Sequence, residues 1–116
     1  MSGHRLQRTA EDIKRELTDI LRGLKDPRIT GLLSVVRVNV SGDLSYATVY
    51  ISAVEGIETA KKSVEGLKAA AGYIRREIGN RLKLRKSPDL RFIADDSIEK
   101  SAVISQILSK EEMDEH

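Results

Sequence analysis

The stretch "AAAGYIRREIGNRLKLRKSPDLRF", residues 69–92, places an Ala-Ala-Gly cluster directly ahead of a run of arginine and lysine. At 100° per residue, Ala60, Val64, Leu67, Ala71, Ile74, Ile78 and Leu82 fall within about 80° of arc, so one apolar stripe runs unbroken through the cluster. A loop between independent helices is under no constraint to keep that register, and it brings more turn-forming residues than "AAAG" offers. The stretch therefore reads as one helix bent, or two helices abutting, at Ala70, Ala71 and Gly72. Glycine inside a helix costs about 1 kcal/mol relative to alanine, and Gly66, Gly72 and Gly79 all accept that cost. Opposite the stripe lie Gly72, Arg76, Gly79, Asn80 and Lys83. Small residues there let a ligand backbone come close while the cations supply counter-charge, and the same pattern also suits close packing of another helix.

Upstream, "LLSVVRVNV" and "LSYATVYISAV" are β-branched, alternate at period two and flank the turn signal Ser41-Gly42-Asp43. They predict a hairpin with Val36, Val38 and Val40 facing Ala47, Val49, Ile51 and Ala53 in the core. The opposite face carries Arg37, Asn39, Tyr46, Thr48, Tyr50 and Ser52, and its tyrosines suit either base stacking or simple strand preference. From Leu6 to Leu24, Ile13, Leu17, Ile20, Leu21 and Leu24 recur at helical spacing, with Thr9 and Asp12 offering a capping-box-like start for a late beginning. "KDPRITG" then ends this helix, because Pro27 disfavours the α region for Asp26. Downstream, "LRFIAD" reads as a third strand after Pro88, and "SIEKSAVISQILSK" as a last helix capped by Ser97.

Charge is distributed unevenly. Residues 75–91 carry Arg75, Arg76, Arg81, Lys83, Arg85, Lys86 and Arg91 against Glu77 and Asp89, a net +5. From Asp95 onward, seven acidic residues against Lys100 and Lys110 give −5. A basic block of this kind is the electrostatic footprint of an anionic partner, which makes its seven cations the candidate RNA contacts. One domain is expected over residues 1–110, with a disordered acidic tail over 111–116.

Other functions find less support. Without cysteine there is neither a disulfide framework nor a thiolate zinc site. No segment approaches the roughly 20 apolar residues of a membrane span, and no apolar leader is visible, so a cytoplasmic location is expected. Asp95 and Asp96 are adjacent on a strand end and point to opposite faces, which suits them poorly to one metal ion. His4 and His116 lie at opposite ends of the chain, with no nucleophile constellation between them. No catalysis, cofactor, metal or small-molecule substrate is expected. An RNA binder and a protein-interaction module using an apolar helix face remain, and salt dependence separates them.

The order helix, strand, strand, helix, kink, helix, strand resembles the type II KH topology, an α+β fold in which the joint between paired helices grips nucleic-acid backbone. Where KH domains that bind single strands carry G-x-x-G, Ala70-Ala71-Gly72 forms an A-x-G, and this variation resembles the ribosome-binding factor A family of bacterial small-subunit maturation factors. "KDPRI", "VVRVNVSGDLSYATVYIS", "AAAGYIRREIGNRL" and "LRKSPDLRFIADDSIEK" agree with that family in order and spacing. The resemblance implies a monomeric, cytoplasmic protein that binds free small (30S) subunits and assists late folding and processing of their 16S rRNA. It further implies departure before translation, association with the helix at the RNA's 5′ end, and a part in growth in the cold.

Overall fold

The computed structural model describes residues 2–96, with side chains from residue 5 onward. The elements are α1 (Ser2–Gly23), β1 (Leu33–Val40), β2 (Tyr46–Ala53), α2 (Ile57–Ala69), α3 (Ala71–Leu82) and β3 (Asp89–Ala94). The expected αββααβ order is present in this α+β fold. The last helix, its Ser97 cap and the acidic tail lie outside the described residues. No described helix is long and apolar enough to cross a membrane.

The sheet has strand order β1-β2-β3, with β1 antiparallel and β3 parallel to β2. Its inner face presents Val38, Ala47, Val49, Ile51 and Phe92 to a single core that also contains Ile13, Leu17, Ile20, Leu67, Ile74 and Ile78. Helix α1 lies over β1 and against α3, whereas α2 covers β2 and β3. The predicted stripe faces this core throughout: Ala60, Val64, Leu67, Ile74 and Ile78 are buried, with Ala71 and Leu82 packed at its margin.

Of the two readings of the helix joint, the structure has two helices abutting. Ala70 (φ −94°, ψ 5°) ends α2 and starts α3. Its N–H donates to the carbonyls of Gly66 and Leu67, both at 3.1 Å, and its own carbonyl accepts from Ile74 N–H at 3.0 Å. One residue thus satisfies groups of both helices while redirecting the axis, so no loop interrupts the stripe.

Two local expectations are corrected. The first concerns Val36, which sits at a β-bulge: Val35 pairs with Ile51 and Arg37 with Tyr50, leaving Val36 as the extra residue. An extra residue reverses the inside-outside phase, so Val35, not Val36, enters the core alongside Val38. Second, α1 begins well before Thr9, whose hydroxyl donates to the Arg5 carbonyl at 2.9 Å as a residue within the helix. The expected hairpin turn at Ser41-Gly42-Asp43 is present, and within it Leu44 takes positive φ (60°). The Asp43 carboxylate holds this turn by accepting from the Ser45 hydroxyl (2.6 Å), the Ser41 hydroxyl (2.8 Å) and Ser45 N–H (3.1 Å).

Between α1 and β1, the "KDPRITG" segment docks on α2. Ile29 rests on Gly66, where a Cβ would stand 2.7 Å from its Cγ1. Gly31, at φ +81°, turns the chain so that Leu32 N–H donates to both Glu55 carboxylate oxygens, at 3.0 and 2.9 Å. A side chain at Gly31 would strike that carboxylate. The segment is therefore fixed from two sides.

Two stability measurements follow from this packing. Ile78→Ala, which empties a fully buried position, is expected to cost about 2–5 kcal/mol in urea unfolding; an unchanged midpoint would mean that α3 faces the other way. Hydrogen bonds from Ser45, then from Ser41, hold the Asp43 carboxyl down at about 2 against an ordinary 3.8. Because the folded value is depressed, the stabilisation is present above pH 3.8 and fades as pH falls toward 2. The stability gap between wild type and Asp43→Asn is expected to close over that interval, and a gap independent of pH would contradict the assignment.

Candidate nucleic-acid interface

Helix α3 buries Ile74 and Ile78, and its other side forms one wall of a shallow concavity of about 710 Å³. Gly72, Tyr73, Arg76, Gly79 and Asn80 come from the helix, and Arg85 and Lys86 come from the loop that follows it. The loop reaches this position through a left-handed helix end. Lys83 adopts φ 52°, and Leu84 N–H donates to the Gly79 carbonyl at 3.0 Å, a Schellman-type closure that reverses the chain. Leu84 then packs against the core.

A reciprocal staple holds the loop against α3. Arg75 Nε donates to the Ser87 carbonyl at 2.9 Å, and the Ser87 hydroxyl donates to the Arg75 carbonyl at 2.8 Å. Arg75 also pairs with Asp89 at 2.9 Å. Gly79 permits this approach, since a Cβ there would lie 3.3 Å from Ser87 Cβ. Gly72 has no such explanation: a Cβ at that position would meet nothing within 4 Å, and its φ is not in the left-handed region. The fold itself does not need glycine at residue 72.

The seven cations of the basic block occupy different settings. Arg75, Arg76, Arg85 and Lys86 line the concavity, with Arg75 acting as the staple. Lys83 is exposed at the helix end beside it. Arg81 points toward α1, where it meets Asp19 at 2.7 Å and Glu16 at 3.4 Å, with Glu77 at 3.6 Å on its own helix. The Asp19 hydrogen bond holds the Arg81 guanidinium above its ordinary pKa. Arg91 lies on the outer face of the sheet, its guanidinium 4.0 Å from the centroid of the Tyr46 ring. Arg37 covers Tyr50 in the same way at 4.4 Å. Among the described residues, Arg76, Lys83, Arg85 and Lys86 are the members of the block that make no ion pair or ring contact.

Sequence reasoning did not single out Tyr73 or Ser87. Tyr73 was legible as the neighbour of Gly72 one turn before Arg76, but Ser87 acquires its role only when the chain folds back. Of the metal and catalytic candidates weighed in the sequence, the His4 side chain and His116 lie outside the described residues. Among the described residues no three acidic or histidine groups converge to hold an ion, and Asp95 N–H extends the β2–β3 ladder by donating to Ile51 at 2.7 Å.

Fold and surface together define a small α+β module that presents a basic concavity between its third helix and the loop that follows. The chain belongs to the ribosome-binding factor A family, whose sequence model matches residues 5–108. The ribosome-binding factor A of Acetivibrio thermocellus is 49% identical over 107 residues, spanning 91% of this chain and 87% of that protein. The crystal structure of ribosome-binding factor A from Thermus thermophilus superposes with a TM-score of 0.67 at 28% identity, covering 77% of this chain and 94% of that one. A Thermus thermophilus homology model fitted into the cryo-EM map of a complex with the 30S subunit gives 0.61 at 31% identity, with coverages of 72% and 88%.

The different settings of Arg81 and Arg76 separate fold from surface. Arg81→Ala is expected to lower the melting temperature, and the loss should shrink as added salt screens the Asp19 and Glu16 pairs. Arg76→Ala should leave the melting temperature nearly unchanged. Equal effects of the two substitutions would contradict this division.

Proposed function

We propose that this chain binds the small (30S) ribosomal subunit through its 16S rRNA and assists late maturation of that RNA, including processing near the 5′-terminal helix. It acts as a stoichiometric clamp, without catalysis, favouring one RNA conformation by no more than its differential affinity for it. The observation that carries this reading is the row of cations without acidic partners, Arg76, Arg85 and Lys86, beside the bare backbone of Gly72. Cations on a surface shaped for close backbone approach suit phosphate oxygens, which position a protein on RNA without reading its sequence. The relative fitted into a 30S complex supplies the kind of partner.

A second reading, a protein-interaction module, rests on Leu32 and Val54, each 70% exposed and joined by a 3.1 Å hydrogen bond from Val54 N–H to the Leu32 carbonyl. Salt discriminates between the two, because an apolar contact is nearly indifferent to counterions.

With at most four cations of the basic block available for phosphate, log–log plots of affinity for purified small subunits against salt should have a slope of about −3 to −4. Charge reversal of Arg76 and Arg85 together should weaken binding and remove about two units of that slope. Gly72→Ala is expected to raise stability by roughly 0.5–1 kcal/mol while reducing affinity, because the new methyl projects into open space where the RNA backbone would lie. Unchanged affinity and slope in the double variant would dismiss the clamp, and a salt-indifferent wild type would favour the protein-interaction reading.

A further inference from the structure

The proposed clamp accounts for phosphate but not for the aromatic ring at its edge. Of the three tyrosines, Tyr46 and Tyr50 have a guanidinium over the ring, from Arg91 and Arg37 respectively. Tyr73 has neither a ring partner nor a hydrogen bond to its hydroxyl among the described residues. It is 48% exposed, and it lines the basic concavity with Gly72 and Arg76. Burial in the core does not explain this ring, because the apolar face of α3 is supplied by Ile74 and Ile78. Helix geometry sets it beside a phosphate-binding group: Arg76 is three residues on, roughly 4.5 Å along the axis and on a neighbouring row. Both side chains line the same concavity. A nucleotide whose phosphate met Arg76 would have its base near the ring.

Resting on the proposed RNA reading, we propose that Tyr73 is a stacking platform for one unpaired base, so that the concavity prefers RNA with a bulged or single-stranded nucleotide over a continuous duplex. In a duplex the base is already stacked between neighbours and its face is unavailable. A displaced base offers its π-face to an aromatic ring, whatever its identity. Arg76 supplies a charge that any phosphate satisfies, whereas the ring supplies a contact that only an unpaired base satisfies. Discrimination between RNA structures therefore resides in Tyr73 and general affinity in the cations.

The test uses the full 116-residue chain and two RNA hairpins of identical stem, one carrying a single bulged 2-aminopurine and the other fully paired. Wild type is expected to quench the 2-aminopurine fluorescence and to bind the bulged hairpin about tenfold more tightly, the scale of one base–aromatic stack. Tyr73→Leu should bind both hairpins alike with the salt slope kept, while Tyr73→Phe should retain both quenching and preference. Circular dichroism confirms that each variant is folded. If wild type neither quenches nor discriminates, or if Tyr73→Leu keeps the full preference, the stacking role is overturned. Charge reversal of Arg76 and Arg85 tests the underlying reading separately. If it leaves affinity for both hairpins intact, the concavity is not the RNA site and the proposal falls with it; if it weakens both while Tyr73→Leu changes nothing, only the stacking role fails.

Discussion

The complete burial of Leu67, Ile74 and Ile78 against one face of the sheet fixes the rotation of both helices of the pair. Once the stripe is inward, Gly72, Arg76, Gly79 and Asn80 are outward by geometry, since side chains half a turn apart cannot share a face. The kink at Ala70 works within the same constraint. It redirects the helix axis without an intervening loop, so the stripe continues and both helices keep contact with the sheet. A flexible connection would allow α3 to rotate, and the positions of its outward cations would no longer be determined by the core.

Local periodicity made that much legible. The stripe, the hairpin, the third strand and the joint all follow from residues within a turn or two of one another. The errors arise where a local rule competes with a partner remote in sequence or with backbone irregularity. One added residue at Val36 changed the phase of β1, and the alternating valines on either side contain no signal for it. Arg81 resembles its neighbours in sequence, yet its partners Asp19 and Glu16 come from α1, more than sixty residues earlier. Arg91 belongs to the same charge block, but strand alternation directs it to the outer face of the sheet, over Tyr46. Charge composition located the basic region; only tertiary contacts divided it into structural and available cations.

The glycines show the same division in steric form. Gly66 is required by Ile29, whose Cγ1 would stand 2.7 Å from a Cβ, and Gly79 eases the close approach of Ser87, whose Cβ would stand 3.3 Å from one. Those two satisfy internal packing. Gly72 satisfies none, although helix propensity favours alanine at an unobstructed helical position. A residue that the fold does not need, set beside cations that the fold does not neutralise, is what the proposed external partner explains.

Preorganisation connects these features. Arg85 and Lys86 lie on a loop, where ordering on binding would ordinarily consume part of the interaction free energy. Here the loop is already tied to α3 by the two Arg75–Ser87 hydrogen bonds, and α3 is itself tied to β3 by the Arg75–Asp89 pair. One arginine of the basic block thus gives up much of its own capacity to bind an anion and positions two others. The helix supplies Arg76 from the opposite wall, on an element whose orientation is set by the core. An anion entering between them meets charges whose backbone positions are fixed before contact, so the main ordering cost left on the protein side is in long side chains. That allocation, with some cations committed to the scaffold and others left uncompensated on it, lets a domain with a net charge of only +2 present a concentrated positive surface.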